Sequence, residues 1–184
     1  MKTNKILRVI DLSVLTCTES RVQFLTVEET AKGHTYVYVG DAATTSILVW
    51  DVHRSRGWRV QLPKSVLDTN SQVTDAMYIS LVHHPNSNSL LYITYLSSAR
   101  MFSMRTEFLR RGFSTQGRLV DQGIKPAKMI ILGVDGGTSI FFRYEDRSEV
   151  YRWDTQKEFK IENFVKVYNG QNGRRFATHV APDY

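Results

Sequence analysis

The chain has 184 residues, 42% of them hydrophobic and 11% aromatic, which is enough apolar material for one globular core and too much for a disordered chain. Its formal charge of +6 would suit an anionic partner, yet the arginines fall singly or in pairs ("HRSRGWR", "LRRG", "NGRR") with no dense basic run, so no nucleic-acid partner is expected. No stretch of about 18 uncharged apolar residues argues for a membrane span, and the lone Cys17 supplies neither a disulfide framework nor a zinc ligand set.

Period-two alternation dominates, so the chain reads as all-β. "VQFLTVEE", "TYVYVGD", "SILVWDV" and "WRVQLP" are four strands separated by the turns "AKGH", "AATT" and "HRSRG". The plan repeats as "AMYISLVHHP", "LLYITYL", "RMFSMRTEF" and "QGRLVDQ", and a third time as "KMIILGVD", "TSIFFRYE", "EVYRWDT" and "FKIENFVKVYN". Aligning the second strands puts Tyr38, Tyr92 and Phe142 in register, a period of about fifty residues that fits propeller blades.

A lone four-stranded sheet leaves both faces bare, so the expected fold is a β-propeller of four-stranded blades. The chain is one partial domain with blades at 21–62, 75–121 and 128–168, while 1–20 and 174–184 belong to adjacent blades. "KILRVIDLS" reads as the outermost strand of a preceding blade and "RRFATHVAPDY" as the opening of a following one. Three blades do not close a ring, which makes the chain a piece of a larger, six-bladed propeller. Cut from its neighbours, it should associate through open apolar faces.

Two third strands end in Trp-Asp, at Trp50-Asp51 and Trp153-Asp154. The indole is expected to cover the gap to the adjacent blade while the carboxylate accepts N–H bonds from the turn that follows. The spacing is too long for WD40 repeats, and no Gly-His pair precedes these dipeptides.

"YVYVGDAATTSILVWDVHRSRGWRV" resembles a stretch of the Yellow and major royal jelly protein family of the form "aYiaD…gliVyd…..sWRv". "SLLYITYLSSARMFSMRTEFLR" is similar to the family's "LYfhPLsS…ysVsT..Lr", with Leu96-Ser97-Ser98 and Thr106 and Leu109 in matching places. The third blade is similar to the family's "g…fy……i.CWn" region, except that Arg152 stands where many members carry Cys, so the family's disulfide pairing is in doubt here. The resemblance implies an extracellular protein about twice this length with a signal peptide. "MKTNKILRVIDLS" has no apolar leader, and the chain taken alone would read as cytosolic.

No catalytic or metal-binding constellation and no cofactor site is expected. His83 and His84 point to opposite faces of a strand, and "GVDGG" is a hairpin turn without the lysine of a phosphate loop. Ligands of propellers usually sit where the entering loops and the second-to-third strand turns meet around the axial channel. That places Asp41, Thr44, Thr74, Asp75, Glu145 and Asp146 at one mouth, beside the entering Arg21 and Lys128. A carboxylate there can pair with an amine, and a neighbouring ring can stack on an aromatic ligand.

The resemblance implies binding of small aromatic amines or catechol derivatives, or a part in cuticle or eggshell pigmentation and maturation. The enzymatic alternative, also implied by it, is dopachrome conversion, for which His53, His83 and Asp75 are the available acid–base groups. A structural or nutritional secreted protein is the remaining reading.

Overall fold

The computed structural model describes residues 8–67, 75–84, 89–170 and 176–181. Twelve strands form three four-stranded antiparallel sheets, each in simple sequence order. Blade 1 contains β1 (Val22–Glu29), β2 (Thr35–Asp41), β3 (Ser46–Asp51) and β4 (Arg56–Gln61). Blade 2 contains β5 (Met77–Val82), β6 (Leu90–Tyr95), β7 (Arg100–Arg105) and β8 (Val120–Ile124), with the short helix α1 (Thr106–Arg110) between its last two strands. Blade 3 contains β9 (Met129–Val134), β10 (Ser139–Tyr144), β11 (Val150–Asp154) and β12 (Phe164–Tyr168).

Two apolar cores separate the three sheets. Tyr36, Tyr38, Ile47 and Val49 of blade 1 pack with Met77, Ile79, Leu91, Ile93 and Met104 of blade 2. On the other face of blade 2, Tyr78, Val82, Tyr92 and Met101 pack with Met129, Ile140, Phe142 and Trp153 of blade 3. β5 is therefore buried along its whole length, which explains why "MYISLV" is a nearly continuous apolar run and not an alternating one. The blades approach closely at Gly40, where a Cβ would lie 2.9 Å from the Met77 side chain.

The sequence expectation and the fold part company in five places. "RMFSMRTEF" is not one strand: β7 ends at Arg105, and Thr106 and Leu109 turn inward on α1, which is too short to show a helical period. "FKIENFVKVYN" likewise begins as a 3-10 turn at Ile161–Asn163 before β12. In "KILRVIDLS" the described residues 8–13 form no strand; a 3-10 turn at Ser13–Leu15 follows, and Leu15 lies against Gly57 near Trp50. In "RRFATHVAPDY" the described residues 176–181 form no strand, and Val180 N–H donates to Leu132 O at 2.9 Å at the free edge of β9.

The fifth difference is the alignment of Tyr38, Tyr92 and Phe142. Tyr38 and Tyr92 face the blade that follows their own, whereas Phe142 faces the blade that precedes it. The β9–β10 register shift leaves its extra residue, Leu132, in β9, whereas β10 pairs regularly with β11. Counted back from Tyr95 and Tyr144, which pair with Met77 and Met129 at the strand entries, the residue that matches Tyr92 is Phe141. Neighbouring side chains on a strand point to opposite faces, so Phe142 turns the other way.

Both Trp-Asp carboxylates meet their expected partners. Asp51 Oδ1 accepts Arg54 N–H at 2.9 Å, and Asp154 Oδ1 accepts Gln156 N–H at 3.1 Å. Trp153 reaches across to Tyr92 of blade 2 in an edge-on contact with ring centroids 5.3 Å apart. Trp50 sits on the corresponding face of blade 1, turned away from blade 2 toward Leu15 and Gly57.

Candidate functional site

The antiparallel order brings the entry of each first strand beside the exit of its second. Val22 pairs with Asp41, Met77 with Tyr95 and Met129 with Tyr144. Arg21, Asp41, Asp75, Lys128 and Glu145 consequently gather at one end of the blades. Arg21 Nη2 donates to Asp75 O at 3.1 Å, and Gln23 Oε1 accepts Met77 N–H at 2.9 Å, which stitches β1 to β5 at this end.

The expected site residues divide by what holds them. Asp41 is fully buried and accepts Ser20 Oγ–H at 2.7 Å and Arg21 N–H at 2.8 Å, with Arg59 Nη2 at 3.7 Å, so it fastens the entering loop to blade 1. Burial raises the Asp41 carboxyl, but hydrogen bonds from Ser20, Thr44 and the Arg21 backbone outweigh it and hold the group below the usual range. Thr44 Oγ1 shares a 2.8 Å hydrogen bond with Ser46 Oγ. Glu145 pairs with Lys128 at 3.2 Å on the surface, and Asp146 is exposed in the adjoining turn. Thr74 lies outside the described residues.

Asp75 differs from the rest. One of its carboxylate oxygens is buried and has no hydrogen-bond partner among the described residues. Further along the same strand pair, the Phe24 ring of β1 and the Tyr78 ring of β5 lie 4.6 Å apart. Burial pushes the Tyr78 phenol above its ordinary range, Arg143 opposes that, and the Asp75 and Glu145 carboxylates add to it, so all four groups share one electrostatic environment.

Lys125 is the group that sequence reading missed. Only 6% exposed, its Nζ donates to Tyr95 O at 2.6 Å and Leu96 O at 3.2 Å. Burial pushes its pKa down to about 8, with Asp75 pulling the other way. "GIKPAK" carries no sign of this, because a lysine after an exposed edge strand normally points to water.

A testable pH dependence follows from Lys125. The folded state disfavours its charged form, so the unfolded chain binds more protons between about pH 8 and the ordinary lysine range. Stability should rise through that window by up to about 3 kcal/mol, at about 1.4 kcal/mol per tenfold change in proton affinity. Urea titrations between about pH 7.5 and 9.5, below tyrosine ionisation, should show the rise in the natural chain and not in Lys125→Met.

The histidines named for acid–base work lie at the other end. His53 stacks on His34 with centroids 5.2 Å apart, and His83 Nδ1 is 2.9 Å from Ser89 Oγ. Asp75 and His83 flank β5, which separates them by more than about 20 Å at about 3.3 Å per residue. His84 turns the other way, with Nε2 3.4 Å from Thr155 Oγ1 of blade 3. Among the described residues no three His, Cys, Asp or Glu side chains converge on a metal-sized site.

That other end is tied by a buried ion pair. Glu28, 2% exposed, accepts Tyr38 Oη–H at 2.5 Å, Thr106 Oγ1–H at 2.9 Å, and Arg110 Nη1–H at 2.7 Å to each of its oxygens. Burial raises the Glu28 carboxyl, but these four contacts more than offset it and hold it below the usual range.

The "Major royal jelly protein" family model matches residues 1–183. Yellow-related salivary protein M35 of Phlebotomus duboscqi is 27% identical over 163 residues, covering 81% of this chain; the chain spans 41% of that relative's length. Among solved structures, virginiamycin B lyase from Staphylococcus aureus superposes with a TM-score of 0.48 at 15% identity, over 83% of this chain and 42% of the lyase. A protein of Bacteroides fragilis assigned as a 6-phosphogluconolactonase gives a TM-score of 0.47 at 15% identity, over 84% and 42%. The repeated blades and the match along nearly the entire sequence lead to one conclusion: this chain belongs to the Yellow and major royal jelly protein family.

Proposed function

We propose that the channel mouth binds a small aromatic amine, within a secreted propeller of this family. The observation that carries this reading is the buried oxygen of Asp75, without a hydrogen-bond partner among the described residues, on the same strand entry as the Phe24–Tyr78 ring pair whose phenol feels its charge. A carboxylate in such a place favours an ammonium group, and adjacent rings favour a flat aromatic body. Catechol amines fit the same description, which connects the site to cuticle or eggshell maturation. The salivary relative supports release from the cell, and the protein is expected in the culture medium of a native expression system.

Calorimetric titration with serotonin and with dopamine tests the reading at protein concentrations of tens of micromolar. Saturable binding is expected, weakened about tenfold or more by Asp75→Asn because a charge-assisted hydrogen bond contributes about 1.5–3 kcal/mol. Absence of heat from the natural chain with both amines would sink it.

A further inference from the structure

Six arginines that the sequence scatters over three segments lie along one rim of blades 1 and 2. Arg54 lies in the β3–β4 turn and Arg56 opens β4, Arg105, Arg110 and Arg111 surround α1, and Arg118 precedes β8. Contacts join these segments directly. Trp58 Nε1–H donates to Leu109 O at 2.8 Å, a Cβ at Gly112 would touch the Trp58 ring at 3.4 Å, and Thr115 Oγ1–H donates to Gln61 O at 2.7 Å.

Of the acidic groups beneath this rim, Glu28 is engaged by Arg110 at 2.7 Å, and Asp51 lies 3.9 Å from Arg54 with its Oδ2 in no hydrogen bond among the described residues. Among the described residues, Glu29 at the end of β1 and Glu107 on α1 are further carboxylates on these elements. Arg56, Arg105 and Arg111 are exposed and form no ion pair among the described residues. Aromatic rings orient several of the guanidinium groups. Arg118 lies 4.6 Å from both the Phe108 and Phe113 rings, Arg111 lies 5.9 Å from Phe113, and Arg56 lies 5.8 Å from Trp58. The Arg118 Nη1 atom is buried without a hydrogen-bond partner among the described residues.

A guanidinium whose face rests on a ring still presents its planar N–H edge, and that edge matches sulfate and carboxylate oxygens in bidentate fashion. We propose that this rim binds a linear sulfated polysaccharide, independently of the channel mouth. A nucleic acid is the less suitable polyanion. Single strands rely on free aromatic faces for base stacking, and here Phe108, Phe113 and Trp58 already carry arginines.

Binding of a heparin dodecasaccharide to the full chain, measured by calorimetry at low and at physiological salt, tests this. Saturable binding that weakens with salt is expected. The triple variant Arg56→Gln, Arg105→Gln, Arg111→Gln should lose at least about tenfold in affinity with an unchanged thermal melt. The control Arg152→Gln, Lys157→Gln, Lys166→Gln removes the same charge from exposed positions of blade 3 and should change affinity less than about twofold. An equal loss in the control, equally tight binding of a short DNA duplex, or no binding by the natural chain would each overturn the proposal. Amine binding at the mouth should be the same in all three proteins, so failure here leaves that reading standing.

Discussion

Replacing Glu28 by alanine is expected to lower stability by about 3–5 kcal/mol, the usual result of removing one partner of a buried ion pair. The substitution strands two donors and weakens a third. Arg110 loses both of its 2.7 Å contacts and Tyr38 loses its acceptor, while Thr106 keeps only the longer 3.2 Å contact to Ser89 O. Glu28→Gln keeps the shape and part of the hydrogen bonding but leaves the guanidinium uncompensated, and should fall between the two. The carboxyl titrates below its ordinary range in the folded chain, so its contribution is complete above that range and is lost as pH falls through the folded value. Urea titrations of the natural chain and Glu28→Ala should therefore converge in acid. A constant gap between them at all pH values would show that the loss is one of packing alone.

The second large effect is expected at Trp153. It is 1% exposed, meets Tyr92 edge-on, lies 4.7 Å from the Phe159 ring and donates its Nε1–H to Lys157 O at 3.1 Å. Trp153→Ala should cost about 3–5 kcal/mol through the cavity it leaves between blades 2 and 3. Trp50→Ala, at the matching position of blade 1, should cost less than half as much. Its side chain is half-buried and its buried Nε1–H has no partner among the described residues, so there is less contact to lose. Thermal melts of the two variants decide this, and equal losses would contradict the roles given to the two indoles.

The strand order was legible because polar–apolar alternation and turn residues such as those in "AKGH" and "DGG" are local signals. Helix α1 was not, since a five-residue helix is defined by what Thr106 and Leu109 touch and has no period of its own. The one-residue offset at Phe142 was invisible for a related reason: the pairings of Tyr95 with Met77 and of Tyr144 with Met129, which match Phe141 and not Phe142 to Tyr92, are fixed by strand register and not by a local sequence signal. At the mouth, sequence placed Asp75 correctly at the β5 entry and gave Asp41 the same standing. Their difference lies in Ser20 and Arg21, which satisfy one carboxylate and not the other. Lys125 stayed hidden because its burial is created by the Tyr95–Leu96 carbonyls of another hairpin.

Because β5 contributes side chains to both apolar cores, the outer blades are energetically linked although they share neither core. If blade 3 detaches, one face of the middle sheet becomes wet, and the remaining pair must stand on a single core. Opening should accordingly be sequential from the outside, with the amides of β5 and β6 the last to exchange with deuterated solvent and those of β12 among the first. Native-state hydrogen exchange would then report a gradient across the blades and not one common protection level. Loosening the β5–β9 contact would be felt as faster exchange in blade 1, on the far side of a sheet that itself remains paired.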